Sequence, residues 1–138
     1  MSERVLLAGC GDLGLRVAQR LVARGAQVWA LRRHPPQDAA REPAIRWLQG
    51  DLTRPETLNV LPAGITHVAY LPAPDSRDPA VYRAVFQDGL PALLAALDHT
   101  ALQRVLFVSS TAVYGEHHGE WIYETASTDP PGFNGRIL

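Results

Sequence analysis

The sequence feature that most constrains the fold is a glycine-rich turn, Gly9, Gly11 and Gly14, set between an apolar run and a helical pattern. Residues 5–8 are all apolar, which predicts a strand buried on both faces. After the turn, apolar residues recur at helical spacing as far as Ala23. This order of strand, tight turn and helix is the first unit of a parallel sheet.

Further strands and helices alternate along the rest of the chain. Apolar runs predict four more strands, at 27–31, 45–48, 66–71 and 104–108, and helical spacing predicts a short helix over 55–61 and a long one over 79–99. Pro91 should kink the long helix near Gly89, because proline lacks the N–H of a helical hydrogen bond. The alternation predicts an α/β fold with a Rossmann-type doubly wound parallel sheet.

The spacing of the glycine turn is G-x-G-x-x-G, which suits a dinucleotide. The first glycine allows the turn, the second admits a pyrophosphate to the backbone, and the third lets helix and strand pack closely. The alternative is a tight turn with no ligand. Cys10 is interpreted as a small turn residue and not as a nucleophile. The predicted phosphate-binding residues are Gly9, Gly11, Asp12, Leu13 and Gly14.

The choice of cofactor should be read at the end of the second strand, about 20 residues after the turn, where an acidic residue would bind the ribose of NAD. Arg32 and Arg33 occupy that place. Guanidinium groups suit a 2′-phosphate, so we predict NADP(H) in preference to NAD(H). The alternative is a pair of solvated arginines.

Composition narrows the class of partner. A chain of 138 residues has room for one domain, and its net charge of −1 gives no broad positive field for nucleic acid. We expect a small-molecule partner, neither nucleic acid nor membrane, and a cytoplasmic location, since there is no signal peptide and only one cysteine. His117, His118, Glu116 and Glu120 are interpreted as a solvated loop, so no metal site is predicted.

Three segments carry a family resemblance: the glycine turn, residues 50–52 (GDL) and residues 108–115 (VSSTAVYG). With them the sequence resembles the extended and atypical short-chain dehydrogenase/reductase superfamily, in particular its NAD(P)-dependent epimerase/dehydratase group. The resemblance implies that Ser110 is the catalytic Ser/Thr, although it could also be only a turn residue. It further implies adenine contacts from Asp51 and Leu52 and a nicotinamide-side wall from Leu71, Pro72 and Ala73.

The sequence departs from that family at its proton-transfer pair. The family's tyrosine would fall near Asn134 and its lysine, four residues later, near Leu138, and the chain contains no lysine at all. Tyr114 and Tyr123 are the remaining candidate acids. Without a lysine neighbour, the pKa of either tyrosine should stay near the ordinary value of about 10.

These features lead to one domain, residues 1–138, that binds NAD(P), and to two hypotheses about its function. The first is an oxidoreductase or epimerase/dehydratase-like enzyme acting on a nucleotide sugar or a carbonyl compound. The second is a non-catalytic NADP(H)-sensing or scaffold module. We also expect the chain to be the amino-terminal portion of a longer protein, with a sheet incomplete on its C-terminal side that could leave it unable to bind any ligand. The 79–99 helix is the candidate homodimer surface.

Overall fold

The computed structural model describes residues 2–115 and 118–138. Five parallel strands form one sheet in the order β3-β2-β1-β4-β5. The strands are β1 (Arg4–Ala8), β2 (Gln27–Arg32), β3 (Ile45–Gln49), β4 (His67–Tyr70) and β5 (Arg104–Phe107). The predicted α/β class and Rossmann-type sheet are therefore confirmed, and β1 with its glycine turn lies at the centre.

Helices cover both faces of this sheet. The α-helices are α1 (Asp12–Ala23), α2 (Pro79–Tyr82), α3 (Gly89–Ala96) and α4 (Phe133–Ile137), with a π-helical turn at Arg83–Asp88 and 3₁₀ turns at Ala39–Arg41, Pro55–Val60 and Thr111–Val113. α1 ends at Ala23, and Gly25, two residues on, has a φ of +88°, the left-handed conformation that terminates helices. The short helix predicted over 55–61 is thus a 3₁₀ turn.

The core forms two apolar layers, because successive side chains of each strand point to opposite faces. Val5 and Leu7 of β1 pack on the α1 side with Ala18, whereas Leu6 and Ala8 pack on the opposite side with the α3 residue Leu93. A central strand buried on both faces explains the unbroken apolar run at 5–8.

The long helix predicted over 79–99 is divided. α2 is followed without a gap by the π-helical turn, and α3 begins at Gly89, which places Pro91, a residue with no N–H to donate, just after the π-helical turn. The buried hydroxyl of Tyr70 donates to the carbonyl of Val85 inside the π-helical turn. Gly89 lies against that hydroxyl, which leaves no room for a Cβ.

This helical segment also ends at Ala96, three residues before the predicted end. Leu97 has an extended backbone, and the carboxylate of Asp98 accepts a 3.0 Å bond from the amide of Thr100, which forms a turn in place of a further helical residue. The leucine, valine and phenylalanine side chains of the segment pack mostly within the protein: Val85, Leu93 and Leu97 are buried, and the others are half-buried.

Candidate functional site

An open cleft of about 910 Å³ lies at the carboxyl ends of the strands. This is the edge of an open α/β sheet where ligands bind. Every residue predicted to bind the cofactor lines it, and so does Ser110: Gly9, Gly11, Asp12, Leu13, Gly14, Arg32, Arg33, Asp51, Leu52, Leu71, Pro72, Ala73 and Ser110. The structure therefore brings the sequence-predicted cofactor residues to one place.

The three glycines of the turn have three different surroundings. Gly9 has φ +85°, and a Cβ there would lie 2.5 Å from the Cα of Pro72. A Cβ on Gly14 would lie 2.8 Å from the Sγ of Cys10 and 2.9 Å from Leu71. A Cβ on Gly11 would meet no atom within 4 Å. Two glycines are thus required by the protein's own packing, while Gly11 leaves backbone open to the cleft.

The amino terminus of α1 faces the same cleft. Gly11 is its N-cap, and no side chain caps the helix, so the first N–H groups of α1 keep their hydrogen-bonding capacity for a ligand. The helix dipole adds a positive potential there, which favours a phosphate. Leu13, an apolar side chain, is 56% exposed at this point and offers a surface to a ring or ribose.

The two arginines at the end of β2 are not equivalent. Arg33 forms a two-pronged ion pair with Asp75, with Nη1–Oδ2 and Nη2–Oδ1 distances of 2.6 and 2.7 Å. This bonding raises the pKa of Arg33 and lowers the pKa of Asp75. Within residues 2–115 and 118–138, the guanidinium of Arg32 makes no hydrogen bond or ion pair.

The segment after β3 is held rigidly at the cleft. The hydroxyl of Thr57 accepts from the amide of Asp51 at 2.8 Å, and the carboxylate of Asp51 accepts from the amide and hydroxyl of Thr53 at 2.9 and 2.7 Å. Leu52 is buried beside them. These bonds fix the wall that the resemblance assigns to the adenine.

The opposite end of the cleft is formed after β4 and β5. Leu71, Pro72 and Ala73 leave β4 across the glycine turn, and Ser110 follows β5. The Oγ of Ser110 accepts from the amide of Ala112 at 3.2 Å and caps the turn Thr111–Val113. Ser110 is exposed and lines the cleft, so the hydroxyl that caps the turn is also accessible from the cleft.

The tyrosines lie elsewhere. Neither Tyr114 nor Tyr123 lines the cleft, and Tyr123 is 67% exposed. Leu138, near which the resemblance would put the family's lysine, does line it, whereas Asn134 does not. The described residues thus place an aliphatic side chain, and no cation, at that point of the wall.

Cys10 and the acidic residues give no sign of a nucleophile or a metal. Cys10 is fully buried, and burial raises the pKa of its thiol to about 11. No group of three or more metal-ligating side chains occurs among the described residues. Glu116 and His117 of the 116–120 cluster lie outside those residues.

Sequence reasoning missed part of the cleft. Asp75, Thr53 and side chains of α2 and the π-helical turn also line it. The helix was predicted, but the spacing of its apolar residues does not show which of them line the cleft. Asp75 stands in a polar loop with no periodic signal, so only the folded chain shows its pairing with Arg33.

Comparison with known families and structures agrees with this geometry. A family model described as NAD(P)H-binding matches residues 9–128. No curated protein matches the chain.

In the part of the chain that the structure describes, no helix is both long and apolar enough to cross a membrane.

Three solved structures illustrate the likeness. A protein from Methylobacillus flagellatus assigned as an NAD-dependent epimerase/dehydratase is 35% identical, with a TM-score of 0.76, over 99% of this chain and 48% of its own. A short-chain dehydrogenase/reductase superfamily protein from Agrobacterium tumefaciens, with bound NAD, is 26% identical (TM-score 0.75; 98% and 42%). A UDP-glucose 4-epimerase is 25% identical (TM-score 0.80; 98% and 44%). The chain thus spans about half the length of these structures.

Proposed function

Since this chain belongs to the NAD(P)H-binding family and has the fold of NAD-dependent epimerases/dehydratases and short-chain dehydrogenases/reductases, we propose that it binds NADP(H) for an oxidoreductase or epimerase/dehydratase-like reaction. One observation carries the proposal: the predicted cofactor residues converge on a single cleft. The nicotinamide would supply a hydride acceptor or donor, while the chain would bind and orient it.

Different residues of the cleft would bind different parts of the cofactor. The open backbone at Gly11 and the uncapped start of α1 would hold the pyrophosphate. Asp51 and Leu52 would border the adenine, and the segment 71–73 would border the nicotinamide. Ser110 would donate a hydrogen bond to a substrate carbonyl or hydroxyl; its Oγ accepts from an amide and so keeps its proton for this purpose.

The preference for NADP(H) over NAD(H) is supported by charge. Arg32 ends β2 at the cleft and makes no ion pair with any described residue, so its guanidinium is available to a 2′-phosphate. The structure similar to this chain from Agrobacterium tumefaciens holds NAD. We propose that Arg32 favours NADP(H) in this chain.

The substrate is proposed to be a nucleotide sugar or another carbonyl compound. The similar UDP-glucose 4-epimerase supports the first class. We propose further that the protein acts in the cytoplasm. A homodimer through residues 79–99 stays a prediction, and the burial of their apolar stripe leaves little apolar surface for it.

The non-catalytic hypothesis also has an observation in its favour. The chain has no lysine, and Leu138, near which the resemblance would put the family's lysine, lines the cleft. An aliphatic side chain cannot lower the pKa of a tyrosine. A module that binds NADP(H) without turnover is therefore the second candidate.

Binding is tested by calorimetric titration of the 138-residue chain with NADPH and with NADH. We expect NADPH to bind more tightly, and Arg32→Asp to weaken NADPH about tenfold or more while sparing NADH, because only NADPH loses a charge-assisted bond. Arg24→Asp, the same charge reversal at the exposed far end of α1, is the control and should leave both affinities unchanged. Equal weakening by both variants would refute a specific phosphate contact.

Turnover separates the two candidates. NADPH oxidation by the full-length protein would be followed with a panel of aldehydes, ketones and nucleotide sugars, beside a Ser110→Ala variant of the same protein. Turnover that falls in Ser110→Ala while NADPH affinity persists supports the enzyme. Tight NADPH binding without turnover on any substrate supports the non-catalytic module.

A further inference from the structure

The ion pair between Arg33 and Asp75 bears directly on cofactor choice. Both side chains line the cleft, and the pair joins the end of β2 to the loop after β4. β1 lies between these two strands in the sheet, so the pair bridges the two sides of the glycine turn. It is therefore a cross-link between the two walls that flank the predicted phosphate site.

The geometry of the pair directs the guanidinium of Arg33 towards the carboxylate of Asp75. Two N–H···O bonds, of 2.6 and 2.7 Å, engage one N–H of each of its terminal nitrogens. The carboxylate of Asp75 thus occupies the forked edge of the guanidinium and offsets its charge, which weakens the attraction of Arg33 for a phosphate. The backbone of Arg33 is fixed as well, since its carbonyl accepts from Nε2 of Gln49 at 3.2 Å.

Arg32 is placed differently. Besides the cleft, it lines a smaller neighbouring cavity of about 520 Å³ between the start of α1 and the 3₁₀ turn Ala39–Arg41. Arg32 is the last residue of β2 and Arg33 is the first residue beyond the strand, and of the two only Arg33 is paired with the loop that follows β4.

We propose that Asp75 is a positioning residue for cofactor choice: by holding Arg33 in a two-pronged ion pair, it withdraws one of the two arginines from the 2′-phosphate and leaves phosphate recognition to Arg32. The proposal rests on the proposed NADP(H) preference. It adds that Asp75 limits this preference by keeping Arg33 from contributing to NADPH affinity. Removal of the Asp75 charge frees a second guanidinium beside the phosphate site. NADPH should gain from this, whereas NADH, which has no 2′-phosphate, should not.

The decisive measurement is the ratio of the NADH to the NADPH dissociation constant in the 138-residue chain. The two cofactors differ only in the 2′-phosphate, so a general loosening of the fold would not move this ratio. We expect Asp75→Asn to raise the ratio about fivefold, as for one partly exposed charged contact, and less at high salt. Arg33→Ala alone should lower the ratio much less than Arg32→Ala does, because it removes no phosphate contact, and Asp75→Asn combined with Arg33→Ala should abolish the gain.

Asp78→Asn is the matched control. It removes the same charge from the same loop, and asparagine keeps the side-chain oxygen that caps α2 by accepting from Ala80. It should leave the ratio unchanged. The paired side chains are 48% and 64% exposed, so none of these variants should fail to fold.

Two results would overturn the proposal while leaving NADP(H) binding intact. One is an unchanged ratio in Asp75→Asn; the other is a fall of the ratio in Arg33→Ala as large as in Arg32→Ala, which would show that Arg33 already contacts the phosphate. Absence of NADPH and NADH binding in the unsubstituted chain would instead remove the proposed function, and this proposal with it.

Discussion

At the residue scale, the glycines of the turn are distinguished by what a methyl group would touch. Gly9→Ala places a Cβ 2.5 Å from the backbone of Pro72 at a φ of +85°, so we expect it to lower the free energy of unfolding by about 1–3 kcal/mol. Gly11→Ala meets no protein atom and should cost less than about 1 kcal/mol, yet weaken NADPH binding by intruding where the phosphates approach. Urea unfolding and NADPH titration of both variants measure the two effects.

The opposite pattern, with Gly11→Ala unfolding more easily and binding NADPH normally, would contradict this division. Gly25→Ala is a useful comparison because its Cβ is also free of contacts while its φ is positive. It isolates the cost of the left-handed backbone from the cost of the clash.

Cys10 gives a prediction about pH. Burial raises the pKa of its thiol from the ordinary 9.0 to about 11, so the folded state holds the proton more tightly than the unfolded state does. The resulting stabilisation is fully present below pH 9 and is lost as the pH rises towards 11. We expect the free energy of unfolding to fall over this range by more in the unsubstituted chain than in Cys10→Ala.

Alkylation gives an independent measurement of the same burial. Iodoacetamide at pH 8 should label Cys10 slowly in the folded chain and rapidly in urea, because only the exposed thiolate reacts. Rapid labelling of the folded chain would contradict both the burial and the interpretation of Cys10 as a turn residue.

Strand ends, together with the family resemblance, were enough to predict most of the cleft. The carboxyl ends of parallel strands meet at one edge, so Arg32, Asp51 and Ser110 had to converge once the strands were assigned. The sequence could not predict that Arg33 is ion-paired while Arg32 is not, because this difference depends on where an irregular loop places Asp75. Loop conformation of this kind is set by tertiary contacts and leaves no periodic pattern.

At the scale of elements, the strands were the most predictable, since each apolar run matches a strand within about a residue. The long helix was less so. A single π-helical turn, whose hydrogen bonds span one residue more than those of an α-helix, is too short to change the spacing of a long apolar pattern, and Pro91 predicts an interruption without showing its form. The form depends on Tyr70, a residue of β4 that is distant in sequence and reaches the carbonyl of Val85.

This contact predicts the effect of removing one hydroxyl. Tyr70→Phe leaves the buried carbonyl of Val85 without its side-chain donor, and we expect the free energy of unfolding to fall by about 1–3 kcal/mol. Tyr123→Phe, at a side chain that is 67% exposed, should change it by less than about 0.5 kcal/mol. Equal stability of the two variants would mean that the helix readily re-forms the bond with a backbone N–H.

At the scale of the whole molecule, the two ends of the sheet differ. β3 is one edge strand, and its side chains Ile45 and Trp47 pack in the core. β5 is the other edge strand and presents apolar side chains to solvent, with Val105 37% and Leu106 59% exposed. Within the described residues no strand pairs with its outer side. An apolar edge of this kind is a template for pairing with another chain.

The 138-residue chain should therefore self-associate through β5 as its concentration rises. We expect light scattering to report a mass above 15.1 kDa at roughly 100 μM, and Leu106→Lys to restore a mass of one chain, because a charge on an edge strand opposes pairing. Val60→Lys introduces the same charge at an exposed apolar residue of the Pro55–Val60 turn and should associate as the unsubstituted chain does. A single-chain mass for the unsubstituted protein at this concentration would show that β5 is already protected, and association that survives Leu106→Lys would locate the contact elsewhere.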